Sequence, residues 1–498
     1  MSRPAKSHAA QSPASARQKW CPVVPGLVVG LAAALHHLLR PALWYDEASS
    51  LGAIRDLTGS ARQSGATMAT YYLVLRVWAT VSTDPVWLRT LSLLASLAAL
   101  ALTVRLATRW MGVQWATWTG VFLGLSYLWG DQAAEARSYA FVLLLTVASW
   151  AVLDRLIAAS DDTAVARRAG FAYATLWLVL PPTHGLAVLI LGAQVATLLT
   201  SRAGATVWRR VSPGVGIGLT ATAALWVAGA KGVTNWVPPS TFSGVGRLVQ
   251  TSTGTTPEVA LLMCVAIALG VALRLSLYRS AMTPVERYRS IAPVAWGLLP
   301  FLGLVVLSVR TPLLVPRYLV GAAPGVAMLL AAGVEHATAL VAAPRRRLAQ
   351  VAGIGVVISG LLTAQASIHV QAADRWDHAA DLVADQAREG DALLFPERRN
   401  RIPFEAATRL GAPVQPDLLD FPRPLGAVRY SEPERSRPET LAALAGHDRL
   451  WVVYEHVFPA STVALNRLER SDELRNEFRL AQTWKIDNGI EVRLYLPR

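Results

Sequence analysis

The chain has 498 residues, of which 53% are hydrophobic and only 16% are charged, and its mean hydropathy is +0.36. Because soluble domains usually carry about a quarter charged residues, this composition argues against a soluble protein and indicates a polytopic membrane protein. The net charge of +14 does not indicate nucleic-acid binding, since the basic residues form short clusters between apolar segments, a pattern typical of membrane orientation. Two isolated cysteines predict neither a metal site nor a disulfide framework.

Residues 1–20 are polar and include Arg3, Lys6, Arg17 and Lys19. We interpret this segment as a disordered cytoplasmic tail. The apolar stretch that follows ends at Pro41-Ala42-Leu43-Trp44, which is not a small-residue cleavage site. The stretch is therefore predicted to be a membrane anchor that is retained.

Eleven segments are long and apolar enough to be candidate membrane spans, within a membrane unit predicted to cover residues 21–367. With the N-terminus inside, the cytoplasmic loops of this arrangement hold most of the arginines, as the positive-inside rule requires. Merging the two short segments around Pro181 and Pro182 into one kinked helix is the alternative, but it would place the Arg345 cluster outside. The predicted spans are 22–40, 87–107, 114–130, 138–157, 169–183, 184–200, 212–230, 257–277, 290–309, 317–341 and 349–367.

The first outer loop, residues 41–86, contains an amphipathic stretch over 68–81 that we predict to be a helix lying on the membrane surface. Counting it as a span would break the charge rule at Arg105 and Arg109.

Residues 368–498 are more charged and contain no predicted span. Three segments resemble strands, Asp391–Phe395, Leu450–Tyr454 and Glu491–Tyr495, and two resemble helices, Ala379–Arg388 and Leu465–Phe478. The pattern predicts a small α/β domain, which eleven spans place on the extracytoplasmic side. The predicted fold class is therefore a polytopic α-helical membrane protein with about eleven spans and a small C-terminal α/β domain.

The predicted topology gathers polar residues at the outer ends of apolar helices, where they are costly to place without a use or a partner. The Trp44-Tyr45-Asp46-Glu47-Ala48 run is the most informative, because it puts two carboxylates just past a span, at the opening of a polar loop. The other members of this set are Asp131, Glu135, Arg137, Tyr139, His184, Lys231, Asn235, Trp236, Arg310, Arg317 and Tyr318.

Each of these residues has a functional and a structural interpretation. Asp46 could act as a general base or be a helix-end carboxylate paired with an arginine. Arg137 lies near a helix start, where a cation is disfavoured, so it should meet Asp46, Glu135 or a ligand phosphate.

Arg317 and His184 also have both a functional and a structural interpretation. Arg317 suits a phosphate at headgroup depth or snorkels to the interface beside Tyr318. His184 is more often a structural hydrogen-bonding group than a catalyst or metal ligand.

Several of these motifs, in this order, resemble GT-C membrane glycosyltransferases, and most closely glycosyltransferase family 39, with the protein O-mannosyltransferases and the lipid A aminoarabinose transferases. The resemblance covers nearly the whole chain. The motifs are Trp44-Tyr45-Asp46-Glu47-Ala48, Tyr71-Tyr72-Leu73, Leu88-Arg89-Thr90-Leu91-Ser92, Glu135-Ala136-Arg137-Ser138-Tyr139, Pro316-Arg317-Tyr318-Leu319, Arg375-Trp376-Asp377-His378-Ala379-Ala380 and Glu389-Gly390-Asp391-Ala392-Leu393-Leu394-Phe395.

The resemblance implies transfer of a sugar, mannose being one candidate, from a polyprenyl-phosphate donor to an extracytoplasmic glycan, protein or lipid acceptor, with inversion at the anomeric carbon. Asp46 would be the general base and Glu47 its catalytic partner, with Arg317 and Tyr318 near the donor phosphate. The family is mixed in its use of a divalent metal, so no metal ligand is assigned and a metal cofactor stays open. The residues implied for the sugar and acceptor pocket are Trp44, Tyr45, Tyr71, Tyr72, Glu135, Arg137, Tyr139 and His184.

One departure from the family pattern lies at Ala66-Thr67-Met68-Ala69-Thr70, where many relatives have a His-Pro-Pro or Lys-Pro-Pro run. If that basic residue holds the donor phosphate, this chain needs a substitute, for which Lys231 and Arg310 are candidates, or it has a different donor or weak activity. The departure favours an alternative function, a non-catalytic membrane protein that binds a lipid-linked sugar or a cell-envelope assembly partner. A transporter is a third interpretation, which the lack of repeated halves and paired broken helices disfavours.

Overall fold

The computed structural model describes residues 22–64, 66–159, 163–229, 237–278, 282–370, 375–408, 416–420, 435–456, 459–486 and 489–498. The predicted tail, residues 1–20, and the predicted site residues Lys231, Asn235 and Trp236 lie outside these ranges.

The regular secondary structure of the membrane unit is helical in the part of the chain that the structure describes. Its helices are α1 Val24–Leu38, α2 Tyr45–Arg55, α3 Leu57–Ser64, α4 Ala69–Trp78, α5 Pro85–Met111, α6 Val113–Leu125, α7 Tyr127–Gln132, α8 Tyr139–Ala158, α9 Thr163–Thr183, α10 Val188–Thr200, α11 Ala205–Ala228, α12 Phe242–Thr253, α13 Pro257–Leu277, α14 Pro284–Ser308, α15 Ala323–Ala339 and α16 Arg346–Val370, with 3₁₀ turns at Gly185–Ala187, Pro316–Ala322 and Ala343–Arg345.

Every predicted span contains a helix, and seven helical segments among the described residues are long and apolar enough to cross a membrane. This supports a multi-pass membrane protein, while the count of eleven spans and the orientation of the termini stay predictions. The predicted span 114–130 is not one helix, because the backbone is extended at Ser126 and its side chain caps the next helix by accepting from the Trp129 N–H at 3.4 Å. A helix, α4, lies within the predicted surface helix 68–81, and its position on the membrane surface stays a prediction.

The two short segments around Pro181 and Pro182 form two antiparallel helices, α9 and α10, that turn at His184. A buried polar cluster fixes this pairing, because the amide of Gln194 accepts from the Tyr173 hydroxyl at 2.7 Å and the Trp177 indole at 3.3 Å. Its amide nitrogen also donates to Ser149 Oγ of α8 at 2.7 Å. The single kinked helix is therefore wrong.

The C-terminal part is an α/β domain, as predicted. It contains α17 Trp376–Gln386, β1 Ala392–Leu394, α18 Arg398–Ala407, β2 Asp417–Leu418, α19 Arg437–Ala442, β3 Leu450–Glu455, α20 Pro459–Glu469, α21 Asp472–Glu477, β4 Phe478–Ile486 and β5 Ile490–Pro497.

Its sheet has the strand order β2-β1-β3-β5-β4, in which β2, β1 and β3 are parallel and β5 pairs antiparallel with both β3 and β4. The single helix predicted over Leu465–Phe478 is wrong. Ser471 begins a new helix there, since its hydroxyl accepts from the Leu474 N–H at 3.4 Å.

The C-terminal domain packs against the membrane unit through α18, which lies on α2. Ile402 of α18 is part of the hydrophobic core of the membrane unit. The Arg399 guanidinium covers the Tyr45 ring with its carbon 4.7 Å from the ring centre. The domain therefore sits at the end of the helical bundle where Asp46 and Glu47 lie.

Helices α13 and α15 cross at small residues. A Cβ added at Gly333 would collide with the backbone oxygen of Ala266, and one at Gly270 with that of Leu329. Close backbone approach of this kind is common between membrane helices. It leaves no room for a side chain at either position.

We therefore expect Gly333→Ala to lower stability by about 1–3 kcal/mol, because the two helices must move apart. Gly355→Ala on α16 is the matched control, since a Cβ there meets nothing within 4 Å, and it should stay within about 1 kcal/mol of wild type. Thermal unfolding in detergent measures both. Equal midpoints for the two variants would contradict this account of the crossing.

Candidate functional site

The Asp46-Glu47 pair lies in the first turn of a helix, not in the loop predicted from sequence. Helix α2 begins at Tyr45, directly after the extended residue Trp44, and Glu47 Oε2 accepts from the Trp44 backbone N–H at 3.4 Å. Carboxylates are favoured at a helix N-terminus by the free backbone N–H groups and the helix dipole. This local rule places two adjacent acids at one end of the bundle.

Glu47 is held by a buried ion pair with Arg89 of α5. The Arg89 Nε donates to Oε1 at 2.8 Å and its Nη2 to Oε2 at 2.6 Å, and each side chain is only 2% exposed. The Ala136 backbone N–H also donates to Oε1, at 2.9 Å. Because both carboxylate oxygens are occupied, this geometry suits a positioning role, and the catalytic role of Glu47 stays a prediction.

Arg89 connects three segments of chain. Besides Glu47, its guanidinium donates to the backbone oxygens of Arg40 and Ala42, the latter at 2.6 Å. The ion pair thus joins the end of α1, the start of α2 and the Ala136 segment. Sequence analysis placed Arg89 in a motif but did not identify this function.

The Asp46 side chain points to a different side of α2 from that of Glu47, and it meets two other arginines. Its Oδ2 lies 3.2 Å from an Arg317 Nη and 3.9 Å from an Arg137 Nη. Arg137 also donates to the Asp46 backbone oxygen at 3.2 Å and lies 3.4 Å from the hydroxyls of Ser50 and Tyr72. Asp46, Glu135 or a ligand phosphate was expected to pair with Arg137, and the structure shows the pair with Asp46. The carboxylate remains 15% exposed.

Aromatic rings surround this guanidinium pair. The Arg317 guanidinium carbon lies 5.8 Å from the Trp44 ring centre and 5.9 Å from that of Tyr139, which is within cation–π range. The His184 ring lies between Tyr139 and Tyr318, with ring centres 5.6 and 5.2 Å away. Its Nδ1 accepts from the Leu186 N–H at 3.3 Å, which supports the structural interpretation of His184.

The remaining predicted tyrosines differ in position. Tyr71 is fully buried, and its hydroxyl lies 3.4 Å from Ser92 Oγ. Tyr72 contacts Arg137, as described above. Tyr45 contacts the C-terminal domain, because the Arg399 guanidinium covers its ring.

A polar cavity of about 260 Å³ lies beside the two ion pairs. Arg40, Glu47 and Arg317 line it together with Asp131 and Glu135. Burial raises the pKa of the Glu135 carboxyl well above its usual range, and the nearby Asp131 carboxyl raises it further. Burial also raises the pKa of the Asp131 carboxyl. Both carboxyls therefore retain protons more readily than exposed acids.

A second cavity of about 510 Å³ is almost wholly apolar. It lies among α6, α13, α14 and α15, and its lining includes Phe122, Ile267, Phe301 and Leu330. Tyr127 lines both cavities. An apolar chamber thus adjoins a polar one that contains guanidinium groups, an arrangement suited to an amphipathic ligand with an anionic head.

Four residues that line this cavity were not predicted from the sequence, namely His37, Arg40, Tyr127 and Gln132. Arg40 is the only arginine among these four. It could have been found from the charge pattern, because it is a basic residue at the end of α1 that the predicted topology places outside. Of the two proposed substitutes for the missing basic residue at 66–70, Arg310 is exposed at the end of α14 and does not line this cavity. Lys231 lies outside the described residues.

Among the described residues, no group of three or more His, Cys, Asp or Glu side chains is placed to hold a metal ion. Asp46 instead faces two guanidinium groups. Among the described residues, the fixed positive charge beside Asp46 comes from arginine.

Comparison with solved structures identifies the fold. The chain superimposes on the crystal structure of ArnT from Cupriavidus metallidurans in the apo state with a TM-score of 0.61 and 14% identity, over 96% of this chain and 98% of that one. The same enzyme bound to undecaprenyl phosphate gives a TM-score of 0.59 and 13% identity, over 97% and 98% of the two chains.

The archaeal oligosaccharyltransferase AglB from Archaeoglobus fulgidus, in complex with an inhibitory peptide and a dolichol-phosphate, gives a TM-score of 0.56 and 8% identity, over 96% of this chain and 74% of that one. No protein-family profile and no curated protein sequence matches the chain. ArnT and AglB are membrane glycosyltransferases of the GT-C fold, and this chain shares that fold.

The buried pair of Glu47 and Arg89 gives a direct test of the site's construction. Removing either partner alone, by Glu47→Gln or Arg89→Met, should lower stability by about 3–5 kcal/mol, because an uncompensated charge or donor stays buried. The double variant should lose less than the sum of the two single losses. Thermal unfolding in detergent measures all three variants.

Asp377→Asn is the matched control. It breaks an arginine–carboxylate pair of similar length, 2.9 Å, whose side chains are 27% and 26% exposed, and it should change stability by less than about 1 kcal/mol. If the single losses at Glu47 and Arg89 were as small as this one, or strictly additive, the ion pair would not hold the site together.

Proposed function

We propose that this protein is an integral membrane glycosyltransferase that moves a sugar from a polyprenyl-phosphate carrier to an acceptor. The observation that carries the proposal is the position of Asp46. Its carboxylate is held by Arg317 and Arg137 beside a polar cavity that shares Tyr127 with an apolar one. The fold supports the proposal, since GT-C structures have been solved with undecaprenyl phosphate and with a dolichol-phosphate.

In this proposal the donor occupies both cavities. Its prenyl chain lies in the apolar cavity, where burial of each CH₂ group contributes about 0.8 kcal/mol. Its phosphate lies in the polar cavity, within reach of Arg40 and Arg317, because guanidinium groups bind phosphate oxygens with paired N–H donors. Arg40 then supplies the positive charge that the Ala66–Thr70 segment lacks.

The reaction is a single displacement at the anomeric carbon. Asp46 accepts the proton of an acceptor hydroxyl as its oxygen bonds to that carbon. The bond between the carbon and the phosphate oxygen breaks at the same time, and polyprenyl phosphate leaves with the electron pair. Arg317, already 3.2 Å from Asp46, is placed to stabilise the charge that develops on the leaving oxygen.

The proposed side of the membrane follows from charge. If the arginine-rich loops are cytoplasmic, the end of the bundle that holds Asp46 and the C-terminal domain faces the extracytoplasmic side. The acceptor then reaches Asp46 from that side.

Sugar transfer from a panel of radiolabelled polyprenyl-phosphate sugars, mannose included, tests the proposal in membranes. Asp46→Asn keeps the size of the side chain but removes the base, so we expect transfer to fall by about 10²- to 10⁴-fold. Asp385→Asn, at an exposed position of α17, is the matched control and should retain wild-type activity at equal expression.

Full activity of Asp46→Asn would exclude Asp46 as the base but leave the transferase standing. If folded wild-type protein transferred no sugar yet bound polyprenyl phosphate, the non-catalytic binding protein would replace the enzyme.

A further inference from the structure

A basic groove lies at the end of the bundle opposite to Asp46. Helices α9 and α11 run parallel, with Gly170 packed against the backbone of Arg210 and Gly218 against Trp177. The N-terminal halves of these helices border a groove of about 560 Å³ that includes Thr163, Arg167, Phe171 and Arg210. From Arg167 to His184 at the Asp46 end is 17 residues, or roughly 25 Å of helix. The groove is therefore separate from the candidate active site.

The charge in this groove is not balanced by its own lining. Arg210 Nη1 is buried and has no hydrogen-bond partner among the described residues, and none of the described lining residues is acidic. Asp161 and Asp162, which precede Thr163 in sequence, lie outside the described residues. A buried guanidinium N–H without an acceptor is costly, so the groove is suited to an anion.

The groove also has an apolar side. Phe171 is 77% exposed and lies one helical turn beyond Arg167 on the same face of α9. A phosphate held by Arg167 and Arg210 would thus have an exposed aromatic ring next to it, toward the middle of the membrane. This combination matches a phospholipid, whose phosphate and acyl chain have the same spatial order.

We propose that the groove between the N-terminal halves of α9 and α11 binds the headgroup phosphate of an anionic phospholipid, with Arg167 and Arg210 as its ligands. The site lies in the leaflet opposite to Asp46. It is independent of the proposed transferase reaction, because no residue is shared between the two sites.

The experiment uses the purified full chain in phosphatidylcholine nanodiscs with and without phosphatidylglycerol, and measures retained lipid by native mass spectrometry and the unfolding midpoint. We expect wild type to retain phosphatidylglycerol selectively and to unfold at a higher temperature in its presence. Arg167→Gln/Arg210→Gln should bind it about tenfold more weakly or worse, since two charge-assisted hydrogen-bonding groups are lost.

Arg168→Gln/Arg209→Gln is the matched control, because it removes the same charge from exposed positions of the same two helices that do not line the groove. It should keep the selectivity of wild type. If the Arg210 substitution prevents folding, Arg167→Glu alone serves, since Arg167 is exposed and the new carboxylate should repel the phosphate.

Equal loss in the groove variant and the control would overturn the site, because it would reduce the effect to overall charge. Inorganic phosphate forms the second arm of the experiment. If it raised the unfolding midpoint as much as phosphatidylglycerol, with no lipid retained, the ligand would be a free phosphate and the lipid assignment would be wrong.

Discussion

The divergence of two adjacent carboxylates is the constraint on which the rest of the site depends. Asp46 and Glu47 follow each other in the first turn of α2, where side chains one residue apart point about 100° away from each other. Glu47 therefore turns into the protein and meets Arg89, while Asp46 turns toward Arg317 and Arg137. The buried pair fixes the start of the helix, and this fixes Asp46.

The different surroundings of Glu47 and Asp46 explain why charged groups are tolerated at this end of the helical bundle. A buried ion pair stabilises only when its remaining polar atoms are satisfied, and the Arg89–Glu47 pair meets that condition through backbone groups of Arg40, Ala42 and Ala136. The Asp46 cluster is less enclosed, with its carboxylate 15% exposed. The enclosed pair gives rigidity, and the more open cluster is the one available for chemistry.

The polar and the apolar cavity adjoin because of a break in a predicted span. Apolar helices alone would give a chamber for a lipid chain, and arginines alone would give an anion site. Tyr127 belongs to the linings of both cavities, because the backbone breaks at Ser126 and starts the short helix α7 there. The interruption of a predicted span thus brings the polar and apolar chambers together.

Much of the fold could be predicted from the sequence, because span length, charge asymmetry and strand composition are local signals. These signals predicted the spans, each of which contains a helix, and the strands and helices of the α/β domain. The convergence of Asp46, Arg137 and Arg317 at one end also followed from topology. Pairings could not be predicted, since which arginine meets which carboxylate depends on how helices rotate against each other.

Three contacts depend on helix rotation in this way. They are the pairing of Arg89 with Glu47, the position of Arg40 in the polar cavity, and the packing of α18 on α2. The breaks at Ser126 and Ser471 were missed for another reason. A serine cap is a weak signal within a continuous apolar or amphipathic pattern.

We propose that the cavity beside Asp46 and Arg317 holds the phosphate of a polyprenyl carrier. An electron cryomicroscopy structure of the full chain with added undecaprenyl phosphate tests it most directly. We expect the phosphate to lie within hydrogen-bonding distance of the Arg317 and Arg40 guanidinium groups. The prenyl chain should pass Tyr127 into the apolar cavity. A phosphate bound elsewhere, with both cavities empty, would contradict it.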